Sequence, residues 1–146
     1  MTVEQYISKV DQFLANINEA LNGCVLVAAN SLSNSIAQRI QSTGTNEKGT
    51  PYKPYSVGYA KYRQSIGRQT DHRSLLLTGE MWNSFKARPS GTLECIVEFN
   101  NAANQKKAQD NAKIIGDFVQ PSMKEIELAY EAFDEQLQKE IERIGL

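Results

Sequence analysis

Reactive side chains are scarce in this chain. Its 146 residues contain one histidine and two cysteines. Cys24 and Cys95 lie far apart without a Cys-x-x-Cys pattern, which favours two small buried side chains over a disulfide. Only His72 could join them as a metal ligand, so we expect no metal and no cofactor.

Long apolar runs are also absent. No stretch approaches the roughly 20 apolar residues that a membrane-spanning helix needs. The N-terminus, Met1-Thr-Val-Glu-Gln, has no basic start followed by an apolar run, so we expect no signal peptide. With 40% hydrophobic and 23% charged residues, the composition is ordinary for a soluble globular protein. The expectation is a single domain over residues 1–146, made and used in a cytoplasm without membrane contact.

Patterns of enzymatic chemistry are missing as well. No Gly-x-Ser-x-Gly elbow accompanies His72, which we interpret as an exposed loop histidine. No glycine-rich phosphate loop follows a strand. A small hydrolase would need two carboxylates at an apolar cleft. The carboxylates instead cluster on what we interpret as the solvent-facing side of the last helix: Glu125, Glu127, Glu131, Asp134, Glu135, Glu140 and Glu142. We expect no catalytic residue.

Charge is distributed unevenly along the chain. Residues 48–90 carry eight basic and two acidic side chains, a net of +6, between segments of net −2 (1–47) and −5 (91–146). The basic block could match acidic surfaces of this chain or of neighbouring subunits. It could also face a polyanion such as DNA.

The spacing of apolar residues predicts long helices at both ends. Residues 3–21 carry one apolar stripe, and Thr2 with Gln5 forms a capping-box pattern at its start. A second stripe covers residues 25–40, and Gly23 leaves a kink or a hairpin between them open. The last helix begins at Pro121, with a Ser122–Glu125 capping box. Its apolar stripe comprises Ile126, Tyr130, Phe133, Leu137, Ile141 and Ile144.

Loops and short elements are predicted between these helices. Residues 42–51 and 67–74 have loop composition, and the first is expected to be flexible. Ser56 caps a short helix over residues 57–66. The tyrosines Tyr52, Tyr55, Tyr59 and Tyr62 alternate with Lys53, Lys61 and Arg63, a pattern that can stack on single-stranded bases. Alternatively, Tyr55, Tyr59 and Tyr62, at helical spacing, pack this segment onto the domain.

A small antiparallel sheet is predicted in the second half of the chain. Thr78 is the expected N-cap of a helix over residues 79–85 that turns Met81, Trp82 and Phe85 inward. After a turn at 88–92, the alternation over 93–99 predicts a strand paired with 85–87. Residues 100–113 are predicted to form a loop or weak helix, and residues 114–119 a short strand. The fold class is α+β, with long terminal helices around a small antiparallel sheet.

The run from Gly49 to Lys86 carries a resemblance. It reads Gly-Thr-Pro-Tyr-Lys-Pro-Tyr-Ser, then Tyr-Ala-Lys-Tyr, a polar loop, Leu-Thr-Gly-Glu-Met and Asn-Ser-Phe. This resembles the tail-completion, or virion-morphogenesis, family of tailed bacteriophages, whose members share an aromatic residue and proline, Tyr-x-x-Lys, and Leu-x-x-Thr-Gly-x-Leu-x-x-Ser. In this chain Tyr52 and Pro54 stand at the aromatic and proline positions. The positions of the Leu-x-x-Thr-Gly-x-Leu-x-x-Ser motif are occupied by Leu75, Thr78, Gly79, Met81 and Ser84. Gly116 and Asp117 stand where many members have a Gly and a His.

The resemblance implies a structural virion protein without a cofactor or an activity. Such proteins form a homo-oligomeric ring at the neck or tail top and join the head to the tail. They are assembled in the host bacterial cytoplasm and contact other neck, connector or tail proteins. Packaged DNA would be held without sequence preference. The alternative is a nucleic-acid-binding module that uses the basic segment 48–73. The residues expected to face a subunit or DNA are Lys48, Tyr52, Lys53, Arg68, His72 and Arg73.

Overall fold

The computed structural model describes residues 1–145 and confirms the α+β class. Its helices are α1 (Val3–Ala15), α2 (Ile17–Thr43), α3 (Val57–Ser65), α4 (Glu80–Asn83), α5 (Ala102–Ile115) and α6 (Met123–Ile144). Strands β1 (Phe85–Gly91) and β2 (Glu94–Phe99) form an antiparallel hairpin. None of the helices in this described part is long and apolar enough to cross a membrane.

Both predicted capping boxes are confirmed. The backbone N–H of Gln5 donates to Oγ1 of Thr2 at 3.2 Å, and the Gln5 side chain accepts from the Thr2 N–H at 2.8 Å. The Ser122 N–H donates to Oε2 of Glu125 at 2.7 Å, with the reciprocal bond at 3.2 Å. These side chains satisfy donors that a helix start leaves unpaired, and they fix where α1 and α6 begin.

The break between the first two helices lies at Asn16, seven residues before the glycine at which the sequence suggested it. Asn16 has φ −110° and ψ 11°, and its side-chain amide donates to the Gln12 carbonyl at 2.9 Å. Asparagine competes for backbone partners in this way and ends helices. Gly23 continues inside α2, because a helical glycine costs only about 1 kcal/mol and the neighbouring Cys24 is fully buried.

The hairpin has the predicted pairing but a longer first strand. Phe85 pairs with Phe99 and Ala87 with Val97, so the alternating inward residues meet. The predicted turn at 88–92 is wrong in extent, since β1 continues to Gly91. Pro89 is tolerated there because each strand of a two-stranded sheet is an edge. The hairpin tip reaches α2, where the Leu93 N–H donates to Oδ1 of Asn22 at 2.6 Å.

Residues 102–115 form α5, capped by Asn101, so the helix is confirmed among the two predicted alternatives, a loop or a weak helix. Two further expectations are corrected. Residues 114–119 are not a strand; α5 ends at Ile115, and an extended segment carries Phe118 into the core. The N-cap of α4 is Gly79 at φ +88°, one residue after the predicted Thr78.

The core lies at the C-terminal end of α2. Trp82 is central to it, with its ring 5.7 Å from that of Phe85 and 6.1 Å from that of Phe118. Its indole N–H donates to the Ser74 carbonyl at 3.1 Å, which satisfies the one polar group that this buried ring carries. The other core members are Ile36, Ile40, Met81, Phe99 and Ala108. The prediction that Met81, Trp82 and Phe85 turn inward is confirmed.

Helix α6 runs antiparallel to α2, and two residues on it differ from expectation. Glu125, expected in solvent, is buried and bonded to Arg39 near the end of α2. Tyr130, expected in the apolar stripe, is exposed. The remaining stripe members, such as Phe133 and Leu137, are only half-buried. Away from the Trp82 core, this part of the chain therefore buries its apolar side chains incompletely.

Candidate functional site

Tyr55 organises the segment between α2 and α4. Its hydroxyl accepts the backbone N–H of Ser74 at 3.1 Å and that of Leu75 at 3.2 Å. Leu75 has φ +56°, a left-handed conformation that a leucine rarely adopts. The two hydrogen bonds hold the chain in that turn, so the stretch after Pro54 and the stretch before α4 form one unit.

Two arginines stack on the ring of Tyr55. The guanidinium carbon of Arg63 lies 4.5 Å from the ring centroid and that of Arg73 lies 4.9 Å from it. Both side chains are buried, with 1% and 8% of their surface exposed. Arg63 donates to the Gln69 carbonyl at 3.0 Å. Arg73 donates to the Lys53 carbonyl at 2.7 Å and to the Pro54 carbonyl at 3.0 Å.

Neither arginine has an anionic partner in the described residues. The carboxylates of residues 1–145 that form salt bridges pair with other cations, such as Arg39 and Lys107. Backbone carbonyls and the rings of Tyr55 and Tyr59 therefore hold two guanidinium groups out of water, since the Arg63 guanidinium carbon also lies 5.9 Å from the centroid of the Tyr59 ring. Buried cations are ordinarily paired with an anion.

An open groove of about 860 Å³ lies beside this stack, and we call it the Tyr55 groove. Its lining is mostly apolar, with cations from α5 and from the segment before α3. Its apolar lining residues include Val57, Leu77, Met81 and Ile114, and its charged ones include Lys53, Lys107 and Glu80. Lys107 also bonds Glu80 across the rim at 3.0 Å. The groove thus combines an apolar surface with a net positive charge, because its four cations outnumber the single carboxylate of Glu80.

The six residues singled out from the sequence do not share one environment. Lys48, Lys53 and Arg68 are exposed, and Lys53 also lines the Tyr55 groove. Arg73 is not on an exposed loop as predicted; it is buried, because Tyr55 and two carbonyls engage its guanidinium. His72 is half-buried rather than exposed, and its Nε2 lies 2.7 Å from the Gln41 carbonyl.

The loop at 44–51 is more ordered by hydrogen bonds than its composition suggested. Thr45 and Pro51 form a β-bridge, and Oδ1 of Asn46 accepts the N–H groups of Lys48 and Thr50 at 2.9 Å each. This arrangement presents Lys48 at the tip of a compact turn. The flexibility expected of this segment stays a prediction.

Tyr52, the remaining predicted residue, points inward beside Arg39. Its hydroxyl is buried without a well-formed hydrogen bond. Burial raises the pKa of this hydroxyl above its ordinary value, while the Arg39 guanidinium lowers it by less. Arg39 donates to the Thr45 carbonyl at 2.6 Å, to the Gln120 carbonyl at 2.9 Å and to Glu125. This arginine therefore joins the base of the 44–51 turn to the start of α6.

An aromatic strip covers the outer side of α3. The rings of Tyr59 and Tyr62 lie 6.0 Å apart, and both are exposed beside Lys61. Ile66 continues the strip one turn later. Of the three tyrosines at helical spacing, Tyr55 is the least exposed, and the ring of Tyr59 packs against it with centroids 5.2 Å apart. Exposed tyrosine faces next to cations suit either a protein partner or the stacking of bases.

Sequence reasoning placed Tyr55 and Arg63 in the basic tyrosine segment but did not predict their stacking, and it missed Lys107 as part of this surface. Arg63 lies in a polar helix and carries no signal for burial. Lys107 comes from α5, which follows the hairpin, and only the folded chain brings it to Glu80. Within residues 1–145, no cluster of three or more His, Cys, Asp or Glu side chains could hold a metal ion.

We compared the chain with protein-family models, curated proteins and solved structures, and none of them matched it.

Proposed function

We propose that this chain is a structural virion protein of a tailed bacteriophage, which forms a ring at the neck or tail top and joins head to tail. It acts by self-assembly and catalyses nothing. The class comes from the resemblance of residues 49–86 to the tail-completion family. The physical support comes from the surface that the isolated chain leaves exposed.

Exposed area is the observation that carries the assembly part of the proposal. The chain exposes 9253 Å². A compact monomer of 16.3 kDa exposes roughly 7,500 Å². The excess of about 1,800 Å² reflects apolar surface that the chain itself leaves unpacked, and it is similar in size to two interface sides of about 800 Å² each. A ring subunit has two such contacts, one with each neighbour.

The motif residues have structural roles that fit this proposal. Gly79 needs its φ of +88°, and Met81 and Ser84 are buried beneath it. Tyr52 and Pro54 lie at the turn that leads to Tyr55. These positions build the Tyr55 groove and its support. A family motif that specifies a surface, with no nucleophile or metal ligand in it, is what an assembly protein would need.

Cryo-electron microscopy of virions or assembly intermediates tests this proposal. Density for the chain as a ring at the neck supports it, and intact particles that lack the chain contradict it. Charge reversal adds a functional arm. We expect Lys48→Glu with Lys53→Glu and Arg68→Glu to fold normally but to block assembly of infectious particles. Lys124→Glu, an exposed reversal on α6, is the control and is expected to assemble.

The second candidate is a module for single-stranded nucleic acid, favoured by the exposed strip of Tyr59 and Tyr62 beside Lys61. Base stacking on tyrosine contributes about 1–3 kcal/mol per base. This candidate requires binding that weakens steeply with salt, and further weakening in Tyr62→Ala. Salt-independent retention of DNA, or none at all, would exclude it.

A further inference from the structure

Helix α1 is amphipathic and almost unpacked. No residue of α1 is buried, and its apolar residues Val3, Ile7 and Leu14 expose 70%, 53% and 57% of their surface. Tyr6 on the same face is also exposed. Only the second half of the helix meets the rest of the chain, around Phe13 and the end of α6. An apolar helical stripe of this kind is normally covered.

One edge of this apolar face is acidic. At 100° per residue, Glu4 and Asp11 lie on one line along α1, directly beside Ile7 and Leu14. Lys9 lies on the opposite edge of the face. The helix therefore presents apolar side chains bordered on one side by negative charge.

The Tyr55 groove has complementary properties. Its lining is apolar, and Lys53 and Lys107 add positive charge at its rim. Arg63 and Arg73 line it as well, and neither reaches a carboxylate within residues 1–145. The one carboxylate among the lining residues, Glu80, is already paired with Lys107. The groove therefore keeps a positive excess from Lys53, Arg63 and Arg73. An acidic amphipathic helix would supply an apolar cover and the further negative charge that this excess favours.

The α1 helix of the same chain cannot supply them. The groove lies at the C-terminal end of α2, where His72 contacts the Gln41 carbonyl. Helix α1 joins the opposite end of α2 at Asn16. The 27 residues of α2 span about 40 Å, and the 13 residues of α1 span only about 20 Å. A helix from another molecule is therefore needed.

We propose that α1 of one copy docks in the Tyr55 groove of the next copy, with Glu4 and Asp11 facing Lys53 and Lys107. This inference rests on the proposed ring and names its subunit contact. Donor and acceptor surfaces lie at opposite ends of the molecule, so the contact is head-to-tail. Repetition of such a contact closes a ring or extends a fibre.

Site-specific cross-linking of full-length chains tests the contact. Cys95 is replaced by alanine, and the fully buried Cys24 stays in place. A size-tagged Ile7→Cys chain is mixed with an untagged Val57→Cys chain at a concentration on the order of 1 mM, which reveals even weak association. A short bis-maleimide then joins thiols that lie close together. Gln138→Cys, on the exposed side of α6, replaces Val57→Cys in the control.

We expect the Ile7–Val57 heterodimer to exceed the Ile7–Gln138 product clearly. Three results would overturn the contact: equal yields with both partners, a dominant tagged homodimer that indicates α1–α1 pairing, or no product at all. A ring seen at the neck of virions alongside any of these would leave the proposed function standing and remove only this interface.

Charge exchange provides the second, independent readout. Glu4→Lys with Asp11→Lys in the tagged chain should lower the heterodimer yield about threefold to tenfold, and Lys53→Glu with Lys107→Glu in the other chain should do the same. Combining the two reversed chains should restore the yield, because both pairs are then opposite again. Failure of that restoration contradicts the assigned orientation, even where each reversal alone weakens the contact.

Discussion

Nε of Arg39 lies 2.7 Å from Oε1 of Glu125, across 86 positions of sequence. Both side chains are almost fully buried, with 12% and 7% exposed. The pair joins the end of α2 to the first turn of α6, where Glu125 also closes the capping box. Burial lowers the pKa of Arg39, but the bond to Glu125 and its charge raise it by more, so the guanidinium stays charged.

Glu125→Gln tests this pair. The substitution leaves the Arg39 guanidinium buried without an anion, so we expect a loss of about 3 kcal/mol in the free energy of unfolding. Urea denaturation measures it. Glu98→Gln is the control because its partner Arg88 is exposed, and it should cost less than about 1 kcal/mol. Equal costs in the two variants would contradict the structural role of the buried pair.

Trp82→Ala tests the core. The indole contacts three phenylalanine rings and donates to the Ser74 carbonyl, so its removal should cost about 3–5 kcal/mol. Thermal unfolding followed by circular dichroism measures the loss. Trp82→Phe keeps a ring and should lose less. If the Trp82→Ala variant were as thermally stable as the unaltered chain, the assignment of Trp82 to the core would be contradicted.

Tyr52→Phe tests a pH dependence. The Tyr52 pKa is raised in the folded chain, whereas the unfolded chain titrates near pH 10. Above that pH the unfolded state loses the Tyr52 proton before the folded state does. The stability that this proton contributes is therefore fully present below the pKa of the unfolded state, and it is lost as the pH rises through the pKa of the folded state.

The Tyr52→Phe chain should therefore lose less stability between neutral and strongly alkaline pH. At neutral pH we expect it to be at least as stable as the original chain, because the hydroxyl is buried without a hydrogen bond. Denaturant melts across the pH range provide the comparison. Tyr130→Phe alters an exposed hydroxyl and should keep the original profile; an identical profile for Tyr52→Phe would refute the assignment.

Tyr55→Phe tests the turn that shapes the groove. Without the hydroxyl, the N–H groups of Ser74 and Leu75 lose their acceptor, at a cost of about 1–3 kcal/mol. Amide hydrogen exchange should accelerate at these two positions. Tyr62→Phe, on the exposed strip, should leave both rates unchanged. Unchanged protection in Tyr55→Phe would mean that other contacts hold the turn.

Sequence periodicity predicted the long elements well. The capping boxes, the inward turn of Met81, Trp82 and Phe85, and the hairpin pairing depend on residues that lie close in sequence, at most 14 positions apart for the pair Phe85 and Phe99. Helix α5 was underestimated because its polar composition carries little hydrophobic pattern, whereas the Asn101 cap and packing of Ala108 stabilise it. The break at Asn16 depends on one side-chain bond that composition does not reveal.

The candidate surface was less predictable because it depends on contacts between distant segments. Arg68 and Arg73 are equivalent as sequence, yet one is exposed and the other is buried against Tyr55. Glu125 belongs by pattern to a solvated row, and only the approach of Arg39 shows otherwise. Position in a polar loop is therefore a poor guide to which cations a partner can reach.

The position of the Trp82 core at one end of α2 makes local stability uneven along that helix. Amide protection should be highest near Ile36 and Ile40 and should decline toward Asn16, because the far end contributes few buried side chains. Contact with a neighbour at α1 would stabilise the weaker end. The melting temperature of the chain should then rise with its own concentration, so folding and assembly would be thermodynamically linked.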